Sequence, residues 1–416
     1  MLLARFADRV IKWGRLTIID AAGRRHEIDA GPGPNATIRL HDKALHHRLV
    51  VNPNLHLGEA YVDGALTVEE GSLYDFLDIC ASNAARLAHQ PLAASLGMLD
   101  RLLRRLHQHN PVQRAQANAA HHYDLSGVLY DLFLDSDRQY SCAYFTRPHD
   151  NLEQAQGDKR RHIAAKLLLG PGQRVLDIGS GWGGLGLYLA GAGAREVVGI
   201  TLAEEQLKVS RARAERAGLA DRVRFELRDY RDQAGRFDRI VSVGMFEHVG
   251  VRHYATFFKK IQELLTDDGV ALVHSIGRMD GPGATNPWIR KYIFPGGYAP
   301  ALSEVLPVVE RLGLWVTDVE ILRLHYAETL KAWRARFLAR REEVLGLYDD
   351  RFCRMWEFYL AASEMAFRHR GLMVFQIQLA RQQEAVPLTR DYVGPAEERL
   401  RLAERGQRTP FRLAGE

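Results

Sequence analysis

From Gln173 to Ile276 the sequence alternates short apolar runs with helical stretches. That alternation restricts the fold more than any other feature of the chain. RVLDIG, EVVGIT, VRFELRD, FDRIVSVG and GVALVHSI read as strands. GGLGLYLAGAG, AEEQLKVSRARAERAG and YATFFKKIQELL read as helices between them, the first with a glycine stop. Regular alternation at this spacing means an α/β fold with a parallel, doubly wound sheet. A ligand of such a sheet sits beyond the carboxyl ends of its strands, near the switch in strand order.

The flanking sequence is of a different kind. Residues 1–90 mix short strands and helices (RLTIID, ATIRL, LGEAYVDGAL, SLYDFLDIC) after a short amphipathic helix, and predict a small α+β domain. Residues 91–118 predict a helical linker, broken at Asn110-Pro111. Within it, MLDRLLRRLHQHNPVQR sets Arg101, Arg104 and Arg105 beside leucines. Two readings stand there: a basic amphipathic surface for anionic lipid headgroups, or a linker helix with its arginines in water. Residues 389–416 form a highly charged tail, expected to be mobile.

Composition excludes several classes. There are 56 Lys plus Arg against 51 Asp plus Glu, so the chain is no polycation and nucleic acid is not its expected partner. Cys80, Cys142 and Cys353 are too widely spaced for a disulfide framework or a zinc site, and no metal is expected. A reducing cytoplasm fits them best. No run of about 18 apolar residues appears, so no membrane span is expected. The first residues carry too much charge for a secretory signal.

The first strand of the alternating region leads into VLDIGSGWGG, where Gly179, Gly181 and Gly184 satisfy G-x-G-x-x-G. A dinucleotide loop brings backbone and a helix N-terminus to a pyrophosphate. Asp177 would repel that anion but welcome an ammonium. No acid follows Gly199-Ile200-Thr201 before Glu204, whereas an NAD site wants one there. D-I-G-x-G-x-G after a strand resembles the first motif of S-adenosylmethionine methyltransferases. Its glycines let backbone lie against the methionine part and ribose. Asp229 and Tyr230 then suit an adenine, one as acceptor and one as a face. Taken alone, they would merely cap a strand.

Several ordered blocks resemble the cyclopropane-fatty-acyl-phospholipid synthases, a family that includes the mycolic acid cyclopropane synthases. They are HYDL (122–125), RQYSCAYF (138–145), RVLDIGSGWGG, TLAEEQ (201–206), RDYRD, FDRIVSVGMFEHVG (237–250), LVHSIG (272–277), NPWIRKYIFPGG (286–297) and AWRARF (332–337). LGEAYVDGAL (57–66) matches the small domain that precedes the catalytic one in the longer members. The resemblance runs from about residue 40 to 385. It implies a Rossmann-like class I methyltransferase domain at 119–388, with an acyl-chain pocket, behind the N-terminal domain. It further implies a homodimer formed partly through that domain, and a cytoplasmic enzyme at the inner face of the membrane.

The resemblance also implies residue roles. Tyr140 and Ser141 touch the cofactor from outside the sheet. Asp177, Gly179, Gly181, Trp182 and Gly183 form its loop. Thr201, Leu202 and Gln206 hold the ribose side, an amide replacing the usual acid, and Asp229 and Tyr230 take the adenine. Cys142, Glu247, His274 and Tyr326, with the backbone of Ile276, hold a bicarbonate ion beside the reacting methyl. The implied reaction adds a sulfonium methyl to a cis double bond of a phospholipid acyl chain. The alkene is the nucleophile, so Cys142 lines the site and does not attack. The added methyl must then lose a proton to close the ring, which requires a base in reach. In isolation Glu247 would be a helix-capping acid and His274 a satisfied core histidine.

Gly127, Ser180 and Ser363 depart from the family's usual Asn, Cys and Cys. Two alternatives remain beside cyclopropanation. One is a fatty-acyl methyltransferase giving branched or methylene products. The other is a non-catalytic lipid-binding protein.

Overall fold

A computed structural model describes residues 1–84 and 127–406. The chain divides into two compact units. One comprises Met1–His107, Gly283–Pro295 and Leu330–Leu372, and the other Gln108–Pro282, Gly296–Thr329 and Met373–Glu416. Residues 283–295 and 330–372, which the sequence reading kept with the methyltransferase domain, thus cluster with the N-terminal residues.

In the first unit, strands β1 (Arg15–Ile19), β2 (Arg25–Asp29), β3 (Asn35–Leu40) and β4 (Leu66–Glu70) form a sheet in the order β2-β1-β3-β4. β1 and β3 run parallel and the outer pairs antiparallel. The amphipathic helix Leu2–Val10 precedes it, with Leu3, Ala4, Ala7 and Val10 buried. The helix Leu73–Ser82 starts where Ser72 and Asp75 cap each other's backbone N–H groups. The helix Pro53–Val62 packs closely because residue 58 is glycine. A Cβ there would stand 2.5 Å from Trp288 Nε1 and 2.8 Å from Phe358.

The second unit carries the seven-stranded sheet. Its strands are β5 (Arg174–Ile178), β6 (Glu196–Thr201), β7 (Val223–Leu227), β8 (Phe237–Val243), β9 (Leu265–Arg278), β10 (Trp315–Leu322) and β11 (Leu372–Ala380). The order is β10-β11-β9-β8-β5-β6-β7. Five strands, β7-β6-β5-β8-β9, are parallel as expected. β10 and β11 pair antiparallel, so the sheet is mixed rather than wholly parallel. These two strands escape sequence reading because β10 (WVTDVEIL) shows no clean burial alternation and β11 buries Gln376 and Gln378. The chain passes from β5 outward to β6 and β7, then crosses back to β8 on the other side of β5, and that reversal is the switch point where a ligand crevice opens.

The charged tail is not loose over its first part. Val393–Gly406 is a helix packed on the helix Leu152–Lys166. Glu397 Oε1 lies 2.6 Å from His162 Nδ1, and Glu404 accepts from Arg161 Nε at 3.0 Å and from the Tyr188 hydroxyl at 2.8 Å. Charge that reads as solvated in sequence is spent on ion pairs here. HYDL, the basic stretch at 98–114 and the last ten residues lie outside the described part.

Candidate active site

After β5 the chain turns through Gly179-Ser180-Gly181-Trp182-Gly183 into the helix Gly184–Gly191. Gly179, Gly181 and Gly183 have φ of 82°, 53° and 84°, a region in which glycine alone is unstrained. Nothing lies within 4 Å of where a Cβ on Gly181 would stand. Bare backbone therefore faces a cavity of about 180 Å³.

Asp177, Gly179, Gly181 and Trp182 line this cavity from the strand end and its loop. Thr201, Leu202 and Gln206 line it from β6, Asp229 and Tyr230 from the end of β7, and Tyr140 and Ser141 from the preceding segment. Gly183 does not line it. A side chain there would strike Ser210 and Phe225, so this glycine serves packing of the loop on its neighbours.

The polar groups are arranged unevenly. Asp177 Oδ2 is buried with no hydrogen-bond partner among the described residues, and burial pushes its carboxyl up to about 7, against the pull of Lys159. Thr201 Oγ1 donates to Gln206 Oε1 at 3.2 Å, leaving the Gln206 amide NH₂ as a donor for a ligand. Both Asp229 oxygens are engaged by its neighbour. Oδ1 accepts from Arg231 N (2.9 Å) and Nε (2.8 Å), and Oδ2 accepts from Arg231 Nη2 (2.7 Å). The carboxylate is thereby fixed in orientation, with Oδ1 doubly engaged and one acceptor position left on Oδ2.

A buried ionic network holds the segment before the cavity. Asp137 accepts from Arg160 Nη1 at 2.6 Å and from Gln139 Nε2 at 2.9 Å, and pairs with Arg213. Arg213 Nη1 also donates to the Trp182 carbonyl at 2.7 Å, so the two walls are tied together. Gly184 is required here, because a Cβ would collide with the Asp137 carboxylate. Arg138, at φ 54°, lies 5.2 Å over the Trp182 ring.

A second group stands at the ends of β8 and β9. Val243 is paired with His274, and Gly244 N–H donates to the His274 carbonyl at 2.9 Å. Glu247 follows β8 in the turn Phe246–His248. Its Oε1 accepts the Ile276 backbone N–H at 2.6 Å, while Oε2 is buried with no hydrogen-bond partner among the described residues. Burial pushes this carboxyl up to about 7, and hydrogen bonding by the Ile276 and Glu247 backbone N–H groups and the Ser275 side chain only partly offsets that. His274 is driven by burial down to about 3 and is therefore neutral. Gln376 Nε2 donates to its Nδ1 at 3.2 Å, which leaves the ring proton on Nε2.

Cys142 and Tyr326 are both buried. Ala143 N–H donates to Thr329 Oγ1 and Phe145 N–H to His325 Nδ1, both at 3.0 Å, which fastens the Cys142 segment to the helix turn carrying Tyr326. The Cys142 thiol is raised far above its ordinary pKa by burial, the opposite of what a thiolate nucleophile needs. Gln376, Thr329 and the 137–160–213 network were not foreseen. Their residue types read as solvated surface, and the only hint was the helix LEQAQGDKRRHIAAK, which lacks an apolar stripe wide enough to pack a sheet.

A profile of the Mycolic acid cyclopropane synthetase family matches residues 110–377. The chain belongs to that family. Among relatives of this family enzyme, the cyclopropane-fatty-acyl-phospholipid synthase of Escherichia coli is 39% identical over 346 residues, 83% of this chain and 88% of that one. A probable fatty acid methyltransferase of Pseudomonas putida is 38% identical over 365 residues, 85% of this chain and 89% of that one. A crystal structure of a mycolic acid cyclopropane synthase complexed with SAH and CTAB superposes with a TM-score of 0.61 at 32% identity, covering 65% of this chain and 99% of that one. This synthetase-family protein is an S-adenosylmethionine-dependent methyltransferase with the Rossmann-like class I fold. Its cavity suits that cofactor: among the described residues the backbone at Gly181 is open, Asp177 Oδ2 has no hydrogen-bond partner, and Gln206 has its Oε1 engaged by Thr201.

Proposed function

We propose that this enzyme transfers a methylene group from S-adenosylmethionine to the cis double bond of unsaturated acyl chains in membrane phospholipids, forming cyclopropane fatty acids. Bicarbonate is the base in this reading. The cofactor, when bound, supplies the methyl, and the ion supplies the proton acceptor. The protein binds, orients and keeps water out.

The observation that carries the reading is Glu247. Among the described residues one of its oxygens is satisfied and the other is buried without a partner, which is costly to fold around, and such a group is retained where something else completes it. Near neutral pH the group is readily protonated, so Oε2–H is a donor suited to an oxyanion. Neutral His274 offers Nε2–H from the adjacent strand end. Cys142 and Tyr326 complete the lining in this reading. The Ile276 N–H, expected to bind the ion directly, is given to Glu247. We assign Ile276 the holding of that carboxylate as well as any share of the ion.

Tyr140, Ser141, Gly179, Gly181, Trp182, Gln206 and Asp229 are assigned to the cofactor, and Gly183 to the packing of that loop. The lipid substrate places the enzyme on the inner surface of the membrane as a peripheral protein. Among the described residues no helix is long and apolar enough to cross a membrane. A homodimer belongs to the same reading.

The test is bicarbonate dependence. Purified enzyme, degassed and given S-adenosylmethionine and unsaturated phospholipid vesicles, should lose rate and regain it on adding bicarbonate. Glu247→Gln should regain much less. A rate indifferent to bicarbonate in the wild type would remove the ion from the mechanism.

A further inference from the structure

Lys159 is fully buried at the middle of the helix Leu152–Lys166. Its ammonium has three donors. Among the described residues it makes one hydrogen bond, to Ser141 Oγ at 2.7 Å, and no ion pair within 4.0 Å. Asp135 and Asp137 act on it only through space, as do Arg160 and Cys142. Burying a cation with so little compensation is expensive, and burial pulls its pKa down to about 8. A buried charge of this kind is explained when an anion arrives to complete it.

Ser141 shows where that anion comes. Its Oγ is the acceptor in the contact with Lys159. The hydroxyl's own proton has no acceptor among the described residues, and Ser141 lines the cavity. Gln156, one turn earlier on the helix, donates its Nε2 to the carbonyls of Gln139 (3.2 Å) and Ser141 (3.0 Å), and so fixes the backbone that carries the hydroxyl. Asp177, with its bare Oδ2, lines the same cavity. A hydroxyl donor backed by a cation and an unpartnered carboxylate together match a zwitterionic α-amino acid.

We propose that Lys159 is the positioning residue for the carboxylate of the cofactor's methionine part. It holds Ser141 Oγ as an acceptor, directs the hydroxyl proton into the cavity, and balances the carboxylate's charge, while Asp177 faces the ammonium. The inference rests on the placement of the cofactor in this cavity. It adds a counter-ion that does not touch the ligand and acts through Ser141.

The test is ligand truncation, read by calorimetry on the full-length protein. S-adenosylhomocysteine carries the amino acid, and 5′-methylthioadenosine lacks it. Lys159→Met keeps length and volume and removes the charge. It should weaken S-adenosylhomocysteine about ten- to a hundredfold, the worth of a charge-assisted hydrogen bond. Binding of 5′-methylthioadenosine, measured directly or by displacement, should change by less than about twofold on the same scale. Equal weakening of both ligands, or of neither, overturns the proposal. Ser141→Ala should show the same selective loss, and the double variant little more than either single one. If Lys159→Met does not fold, Ser141→Ala decides by the same comparison. Gly181→Val serves as the separate control on placement. If it leaves S-adenosylhomocysteine binding intact, the cofactor site is elsewhere. If it abolishes binding while Lys159→Met and Ser141→Ala show no selectivity, the counter-ion role alone fails.

Discussion

Ile276 donates its backbone N–H to Glu247 Oε1 at 2.6 Å, while Oε2 is buried with no hydrogen-bond partner among the described residues. Glu247→Gln preserves shape and most hydrogen bonding but loses the acid. Turnover should fall by about a hundred- to ten-thousandfold, the range of positioned acid–base catalysis. Binding of S-adenosylhomocysteine should hardly change, and calorimetry beside initial rates checks both.

The same substitution should stabilise the protein, in a pH-dependent way. A carboxyl whose folded pKa is raised holds its proton more tightly when folded. Wild type therefore loses stability as pH rises from 4.5 to about 7, and carries the full penalty above that. The shift corresponds to about 3 kcal/mol for this buried group. Glu247→Gln is free of that term. The difference between variant and wild type should thus grow by about 3 kcal/mol from acid to mildly alkaline pH. Urea unfolding of both proteins at pH 4 and pH 8 reads it directly, and a pH-independent difference would contradict the assignment.

Gly181→Val places a branched side chain where bare backbone meets the cavity. It also forces a β-branched residue to φ 53°, a strain of about 1–2 kcal/mol. Cofactor binding should disappear while the cooperative unfolding transition remains. Gly184→Ala should differ, because its Cβ meets the Asp137 carboxylate and loosens the loop itself. Melting temperature should fall there together with affinity.

The C-terminal helix is secured by His162, whose side chain bridges Glu320 and Glu397 at 2.7 and 2.6 Å. Burial opposes its protonation, but these two carboxylates raise its pKa above the ordinary 6.5. The stabilisation is therefore fully present below that value and is lost as pH rises through the folded pKa. Glu397→Gln should cost about 1–2 kcal/mol at pH 6 and less at pH 9. Thermal scans at the two pH values check it, and an equal loss at both would mean that the proton on His162 is not involved.

Arg101, Arg104 and Arg105 lie in the basic stretch that reads from sequence as a lipid-facing surface. Changing all three to Gln should weaken binding to anionic vesicles by about 1 kcal/mol per charge. Activity on detergent-dispersed lipid should hardly move. Cosedimentation indifferent to the change would assign these arginines to water.

The parallel core of the sheet and the glycine loop after β5 were legible because each rests on a local signal. β5, β6 and β8 are short apolar runs, β5 and β8 running into glycine, and the glycine loop announces positive φ in its composition. What was missed is long-range and polar. Lys159 reads as one charge among many in LEQAQGDKRRHIAAK, and only the fold reveals that its ammonium is buried against Ser141. Gln376 reads as a polar break in a strand, yet it sets the tautomer of His274 from a strand 102 residues away. The tail at 393–406 reads as solvated because its charges find partners only once the helix Leu152–Lys166 is in place. Gly183 falls into the cofactor motif by proximity, whereas only the folded chain shows that a side chain there would meet Ser210 and Phe225.

The central claim is tested most directly by the lipid product. The protein is expressed in a bacterium that makes unsaturated phospholipids but lacks cyclopropane fatty acids, and its fatty acid methyl esters are separated by gas chromatography against standards, with mass spectrometry. The account predicts new esters, heavier than their unsaturated precursors by one methylene, that co-elute with cyclopropane standards and vanish in Glu247→Gln. Esters of the same mass that co-elute with methylene or methyl-branched standards, or no new ester from a well-folded protein, would contradict it.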